Sequence, residues 1–338
     1  MSKKNVVVIG GGTGTHTVLK GLKQYSDDLS LTAIVSMADS GGSTGRLRDE
    51  FGQLPAGDVR NALTALAADG DTHDELLREL FVYRFSRGEG LYGHNFGNLF
   101  LTVLTDILGS EVAAIEAASR ILRVKGRVIP VTTDHVHLQA TYADGKVVTG
   151  EHDIDEWQDP ARQAVRITEL SLTPQAYLYD TARAAIKEAD LIVLGPGDLY
   201  TSVLANCVVE GFKEAILESR ATVVYVCNLM SKAGQTIGMH AEEHLKEISR
   251  YIGKAPDYML YNSAALPSDL LLKYAGEGDH PVLDNCGPSN TKIVRIPLVA
   301  TEEIRTVSGD TLTRSLIRHD STKLAAGLMP LLSPVSAE

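Results

Sequence analysis

The residues of this chain that could do chemistry stand where apolar runs stop. Val6 to Ile9 breaks into Gly10-Gly11-Gly12-Thr13-Gly14, and Leu31 to Val35 is followed by Asp39-Ser40-Gly41-Gly42-Ser43-Thr44-Gly45-Arg46. Small residues at such a turn let backbone N–H groups approach a phosphate at a helix N-terminus. Asp39 adds an acceptor for a hydroxyl or a metal, and Arg46 a fixed charge that can fork onto phosphate oxygens. The first turn fails the dinucleotide pattern Gly-x-Gly-x-x-Gly, because Thr15 holds the sixth position. It also lacks the lysine of a P-loop, so a nicotinamide dehydrogenase and a P-loop NTPase both lose ground.

Further stretches share this character. In Gly57-Asp58-Val59-Arg60-Asn61 a helix begins, and Asp58 either caps it or reaches into a site with Asn61. In Gly93-His94-Asn95-Phe96-Gly97-Asn98, Asn95 can cap while His94 and Asn98 point elsewhere. Gly195-Pro196-Gly197-Asp198-Leu199-Tyr200-Thr201-Ser202 follows the apolar run Leu191 to Leu194. Tyr200 there could stack on a base, bond a phosphate or fill a core. Asn206 lies one helical turn beyond Ser202 and shares its face. Asn228, after Thr222 to Cys227, is placed to meet a base or ribose. Nucleophilic catalysis finds no support, since there is no Gly-x-Ser-x-Gly elbow. His135 and His137 alternate on one strand face, and His240 and His244 are one helical turn apart. The latter pair lacks the zincin glutamate, Ala241 standing in its place.

The elements that must carry these loops alternate. Strand, glycine turn, helix (about 15–24) and strand make a βαβ unit, whose crossover is right-handed. Helices are expected at about 59–68, 74–85, 96–108 and 111–124. A β-rich stretch of about 127–170 follows, read as an antiparallel insertion of 127–132, 136–143 and 146–151, with Asp144-Gly145 as a hairpin turn. α/β alternation then resumes with helices at about 176–189, 203–218 and 241–252 and strands at 191–194, 222–227 and 258–261. Strands at 291–296 and 316–318 and a helix at 321–328 come last. The expectation is one α/β domain over 1–330, with 331–338 as a tail. Loops at the carboxyl ends of neighbouring parallel strands line one crevice, so these turns imply one site for an extended, phosphate-bearing ligand.

Composition sets bounds. The 338 residues carry a net charge of −11, which disfavours a nucleic-acid partner. Backbone amides can still hold a small anion locally. Cys207, Cys227 and Cys286 are odd in number and far apart, which fits a reducing cytosol rather than a disulfide framework. No apolar run approaches a signal peptide or a membrane span. The expected location is the cytoplasm, with no membrane partner.

Together the motifs resemble the gluconeogenesis-factor family (the YvcK-type proteins) within the 2-phospho-L-lactate transferase (CofD)-like superfamily. The resemblance rests on Gly10 to Gly14, Asp39 to Gly45, Pro55 to Asp58 with Arg60-Asn61, Gly93 to Asn98, Gly195 to Ser202 and Asn228 to Met230, in the family's order over about two-thirds of the chain. It implies a three-layer, Rossmann-like fold, a homodimer, and a cytoplasmic binder of nucleotide sugars such as UDP-N-acetylglucosamine. That role is linked to carbon metabolism, peptidoglycan supply and cell shape. No cofactor is then required, and Mg²⁺ is an optional one. The alternative it implies is a Mg²⁺-dependent transferase with a guanylyl donor and a deazaflavin acceptor, Asp39 and Asp58 being the metal carboxylates. The chain departs from the family at Asp198, where serine is common, at Ala56, where a second proline is common, and at His16. A carboxylate at Asp198 repels phosphate, so a sugar hydroxyl, a base donor or a metal is its expected partner.

Overall fold

A computed structural model describes residues 2–156, 160–301 and 316–332. Seven parallel strands form the central sheet: β1 (Lys4–Gly10), β2 (Leu29–Val35), β3 (Arg127–Pro130), β7 (Leu191–Leu194), β8 (Thr222–Val226), β9 (Tyr258–Asn262) and β10 (Lys292–Ile296). Their order is β10-β9-β8-β7-β1-β2-β3. A second, antiparallel sheet, β5-β4-β6, is built from β4 (His137–Tyr142), β5 (Val147–Thr149) and β6 (Ile167–Thr173).

The central strands are continuous Val/Ile/Leu runs because helices cover both faces of a parallel sheet. Val6, Val8, Ile9, Ile34, Val193 and Val224 are all fully buried. The helices on the first half are α1 (Gly12–Leu22), α2 (Gly42–Phe51), α3 (Gly57–Leu66), α4 (Thr72–Val82), α5 (Phe96–Leu108) and α6 (Glu111–Ile121). A short α7 (Glu151–Asp155) leads from the small sheet, and α8 (Asp180–Lys187) returns the chain to β7.

From β1 the chain builds outward to β2 and β3, then crosses back to place β7 on the other side of β1. The strand order therefore reverses between β1 and β7, which is where open α/β sheets bind ligands. The carboxyl ends are level there, Gly10 pairing with Val35 and Ile9 with Leu194.

Several expectations are corrected. The stretch 127–132 is not antiparallel: β3 pairs in parallel with β2 as the edge of the main sheet. The segment 316–318 forms no strand; the nearby Val299 and His319 make only an isolated bridge. The single helix expected at 203–218 is broken. A π-helical turn (Leu199–Leu204) and a helical turn (Ala205–Cys207) precede a new helix (Phe212–Glu218). Gly211, at φ +86°, is the left-handed residue that separates them. The glycine stretch at 42–45 is the first turn of α2 rather than loop, with Gly41 as its N-cap. The hairpin at Asp144-Gly145 stands, with Asp144 Oδ1 accepting the Lys146 N–H at 3.0 Å. Most of the proposed tail, 333–338, lies outside the described residues.

Candidate functional site

At the reversal point, α1 starts directly from β1. Gly11 is its N-cap, with no capping side chain, and Gly12 turns into the helix at φ +63°. The role of a cap passes to another helix: Asp58, in the first turn of α3, accepts the Gly12 N–H on Oδ1 at 2.7 Å. A side chain on Gly11 would collide with that carboxylate. Asp58 thus reaches into the site instead of capping its own helix. A β-carbon on Gly14 would strike the Pro196 carbonyl, so α1 packs directly on the turn after β7. Ser202 closes the same contact against Gly197 and Gly12.

The second loop is tied from above. Asp39 Oδ1 accepts the Gly41 N–H at 2.9 Å, and its other oxygen lies against Gly57, as does the Thr44 hydroxyl. Ser43 Oγ lies 3.2 Å from His94 Nδ1 and accepts the Asn95 N–H at 3.1 Å. Asn98 Nδ2 donates to Thr44 Oγ1 at 3.2 Å, and Asn98 is buried with no partner on Oδ1. These contacts bring 39–44, 57–58 and 94–98 into one polar cluster at the starts of α2, α3 and α5.

The third component comes from the small sheet. Glu151 Oε2 accepts the Ser40 N–H at 3.4 Å, and Ser40 Oγ accepts the His152 N–H at 3.0 Å. At the other end of α7, Asp155 pairs with Lys232, accepts from Gln235 Nε2 at 3.0 Å and from Thr201 Oγ1 at 3.2 Å. Lys232 Nζ also reaches Asp198 Oδ2 at 2.7 Å. Helix α7 therefore bridges the loop after β2 to the loops after β7 and β8.

Five carboxylates crowd this crevice, and their ionisation reflects it. Burial first, and Asp39 second, push the Asp58 carboxyl up to about 7. Burial also raises Asp39, against the pull of the Gly41 amide. Glu151 is driven well above its ordinary range by burial and by Asp39. Burial opposes ionisation of Asp155 too, but the Lys232 charge and the hydrogen bonds from Lys232 and Gln235 together hold that carboxyl low. Asp198 is raised by burial despite Lys232. The site thus has two halves: Lys232 serves Asp155 and Asp198, while Asp39, Asp58 and Glu151 compete for protons. Among the described residues, no three acid, His or Cys side chains stand close enough together to hold a metal ion.

The model of the family described as 2-phospho-L-lactate transferase CofD matches residues 6–302, which contain every loop of this crevice. The chain belongs to the CofD family. Within it, the chain is 37% identical to the gluconeogenesis factor of Bacillus subtilis over 336 residues, 98% of both chains. It is 45% identical over 279 residues to a longer protein of Nostoc sp., covering 82% of this chain and 59% of that one. A crystal structure of a Bacillus halodurans protein superposes with a TM-score of 0.85 at 37% identity, covering 97% of this chain and all of the other. The three-layer fold expected from the motifs is the fold observed.

Not every CofD-family motif residue points into the crevice. Tyr200 is buried, its hydroxyl donating to the Ile167 carbonyl at 3.1 Å. Asn206 is fully buried and donates to the Ser202 carbonyl at 2.8 Å. Asn61 accepts from Arg60 Nη2 at 2.8 Å, and its carbonyl holds His16 Nδ1 at 3.0 Å. Burial lowers the His16 pKa, which favours the neutral ring. Arg46 is exposed and donates to the Tyr92 carbonyl at 3.0 Å. Asn228 bonds the Gly197 carbonyl at 2.8 Å and so ties the β8 loop to the β7 turn. His244 is buried against the Tyr225 hydroxyl at 3.0 Å, and His135 and His137 are exposed. Sequence reading missed Glu151, Asp155, Lys232 and Gln235. The only local signal was a pair of carboxylates one turn apart, Glu151 and Asp155, just after a hairpin.

Proposed function

We propose that the crevice binds a nucleoside-diphosphate conjugate, a nucleotide sugar such as UDP-N-acetylglucosamine, and that the chain acts as a cytoplasmic regulator of carbon metabolism, peptidoglycan supply and cell shape. The observation that carries this is the meeting of the β1, β2, β7 and β8 loops at the switch point, with Gly14 seated on Pro196 and Asn228 on Gly197. The diphosphate lies near the starts of α1 and α2, and the nucleoside extends towards Asn228. The glycine amides are not simply free for phosphate, since Asp58 already holds the Gly12 N–H. A diphosphate therefore enters beside carboxylates and needs a cation between them. Mg²⁺ suits this, because it takes one or two carboxylates and fills its shell with water and phosphate oxygens. Asp39 and Asp58 are the carboxylates that would hold it.

Calorimetry with UDP-sugars, with and without Mg²⁺, tests the reading. Binding that strengthens with Mg²⁺ is expected, and no heat at millimolar ligand with Mg²⁺ present would overturn it. The family match and a carboxyl near neutrality in the crevice also favour a transferase. Transfer from the guanylyl donor to a deazaflavin acceptor would establish that reading in its place. The homodimer belongs to the same proposal. Leu76 and Leu80 on α4 and Val103 and Ile107 on α5 are exposed pairs one turn apart on packed helices, an apolar face that a second copy would cover.

A further inference from the structure

Beyond Asn228, the same edge of the sheet opens into a cavity of about 210 Å³. That is far more than the roughly 10–15 Å³ that holds one water. Its walls include Asn228 and Leu229 after β8, Tyr261 at the end of β9, Leu266, Leu271 and Val282. No charged side chain lines it. Leu229, Leu266 and Leu271 belong to a small apolar cluster separate from the main core.

The polar walls are already engaged. Asn228 donates from Nδ2 to the Gly197 carbonyl at 2.8 Å and accepts the Tyr225 hydroxyl on Oδ1 at 3.1 Å. Asn262 Oδ1 accepts the Leu298 and Ala264 N–H groups at 2.9 and 3.2 Å, and its Nδ2 donates to the Ala264 carbonyl at 2.8 Å. The Tyr261 hydroxyl donates to the Val282 carbonyl at 2.9 Å. A phosphate would find no positive charge here, and a sugar has no flat apolar face to offer an aromatic wall. A nucleobase has flat apolar faces that suit such walls, and Tyr261 supplies an aromatic one.

Resting on the nucleotide reading above, we propose that this cavity receives the nucleobase and holds it by stacking and apolar contact, without side-chain hydrogen bonds. Asn228 then joins the two subsites: it fixes the Gly197 turn on one side and walls the base on the other. Sites that read a ligand through hydrogen bonds reject analogues by about 10⁴–10⁵, whereas apolar pockets discriminate by about 10–200-fold. This cavity accordingly accepts uracil and guanine diphosphates alike.

The test is calorimetry of UDP, GDP and Mg²⁺-pyrophosphate on the full chain, on Leu229→Trp, which fills the cavity, and on Asp39→Asn. Because Leu229 is largely buried, Leu271→Glu is a second cavity variant; it lies on a helix (Ser268–Glu277) with no buried residue. UDP and GDP should bind within about tenfold of each other. Both cavity variants should weaken both nucleotides more than tenfold and leave Mg²⁺-pyrophosphate unchanged. A UDP/GDP ratio above about a thousandfold, beyond what an apolar pocket gives, overturns the proposal. So does unchanged nucleotide binding in both cavity variants; if Asp39→Asn still abolishes it, the nucleotide reading survives and the base lies elsewhere. If neither nucleotides nor pyrophosphate bind, both readings fall.

Discussion

Asp58 carries more of this site than its sequence context suggests. A carboxyl with a folded-state value of about 7 and an unfolded one near 3.9 binds a proton in the native state that the unfolded chain has released. Between about pH 4 and pH 7 the native state therefore holds more protons, and stability from this group falls as pH rises. That contribution is fully present below about pH 4 and is gone above about pH 7. Asp58→Asn, which keeps an oxygen for the Gly12 amide, should raise the melting temperature of the ligand-free protein at pH 8 by about 1–3 °C and change it little at pH 4. A thermal melt at the two pH values checks this. Ligand binding has the opposite slope. A cation held by Asp58 must displace its proton, so Mg²⁺-nucleotide affinity should rise about tenfold from pH 6 to pH 8. Calorimetry in buffers of different ionisation enthalpy would reveal the proton released. A pH-independent affinity would mean that Asp58 does not meet the cation.

At the scale of elements, two contacts decide whether the crevice exists. The first is α1 against the β7 turn. Gly14→Ala places a methyl group on the Pro196 carbonyl, and backbone cannot yield as a flexible side chain can. Destabilisation of about 2 kcal/mol or more is expected in denaturant unfolding, with loss of nucleotide binding. The second contact is α7 against Lys232. Lys232→Met leaves Asp155 and Asp198 without their cation. A fully buried pair would lose about 3–5 kcal/mol, but these side chains keep 25% and 39% of their exposure, so about 1–2 kcal/mol is a fairer expectation. Hydrogen exchange at 151–155 should accelerate in this variant while the central strands keep their protection. Equal protection of α7 in both proteins would show that the ion pairs do not hold it down.

For the whole molecule, the parallel sheet sets the site's position, and the exposed aliphatic side chains on α4 and α5 are what the proposed dimer rests on. Ile107 retains 71% of its exposure and Leu76 54%, high for large aliphatic side chains. If a second copy covers this face, sedimentation should show a dimer, and Leu76→Glu with Ile107→Glu should give a monomer that still binds nucleotide. A monomeric parent protein would remove that part of the proposal. Among the described residues no helix is long and apolar enough to cross a membrane.

Periodicity and glycine placement made the buried strands and the helices 96–108, 241–252 and 321–328 legible, because each is fixed by local patterning that neighbours only reinforce. The order of the motifs along the chain likewise identified the family. Tertiary structure alone decided which polar residues face one another. Asp58 could cap its helix or leave it, and it leaves because Gly11 has no side chain to keep its carboxylate off the Gly12 amide. Tyr200 stands in the same motif as Asp198, yet it lies buried within the π-helical turn at 199–204, and Asn206 is buried in the helical turn that follows. Glu151, Asp155 and Lys232 are separated by up to 81 residues of chain. Only the fold of the small sheet brings them to one crevice, since Coulomb attraction between side chains depends on distance in space and leaves no mark on sequence spacing.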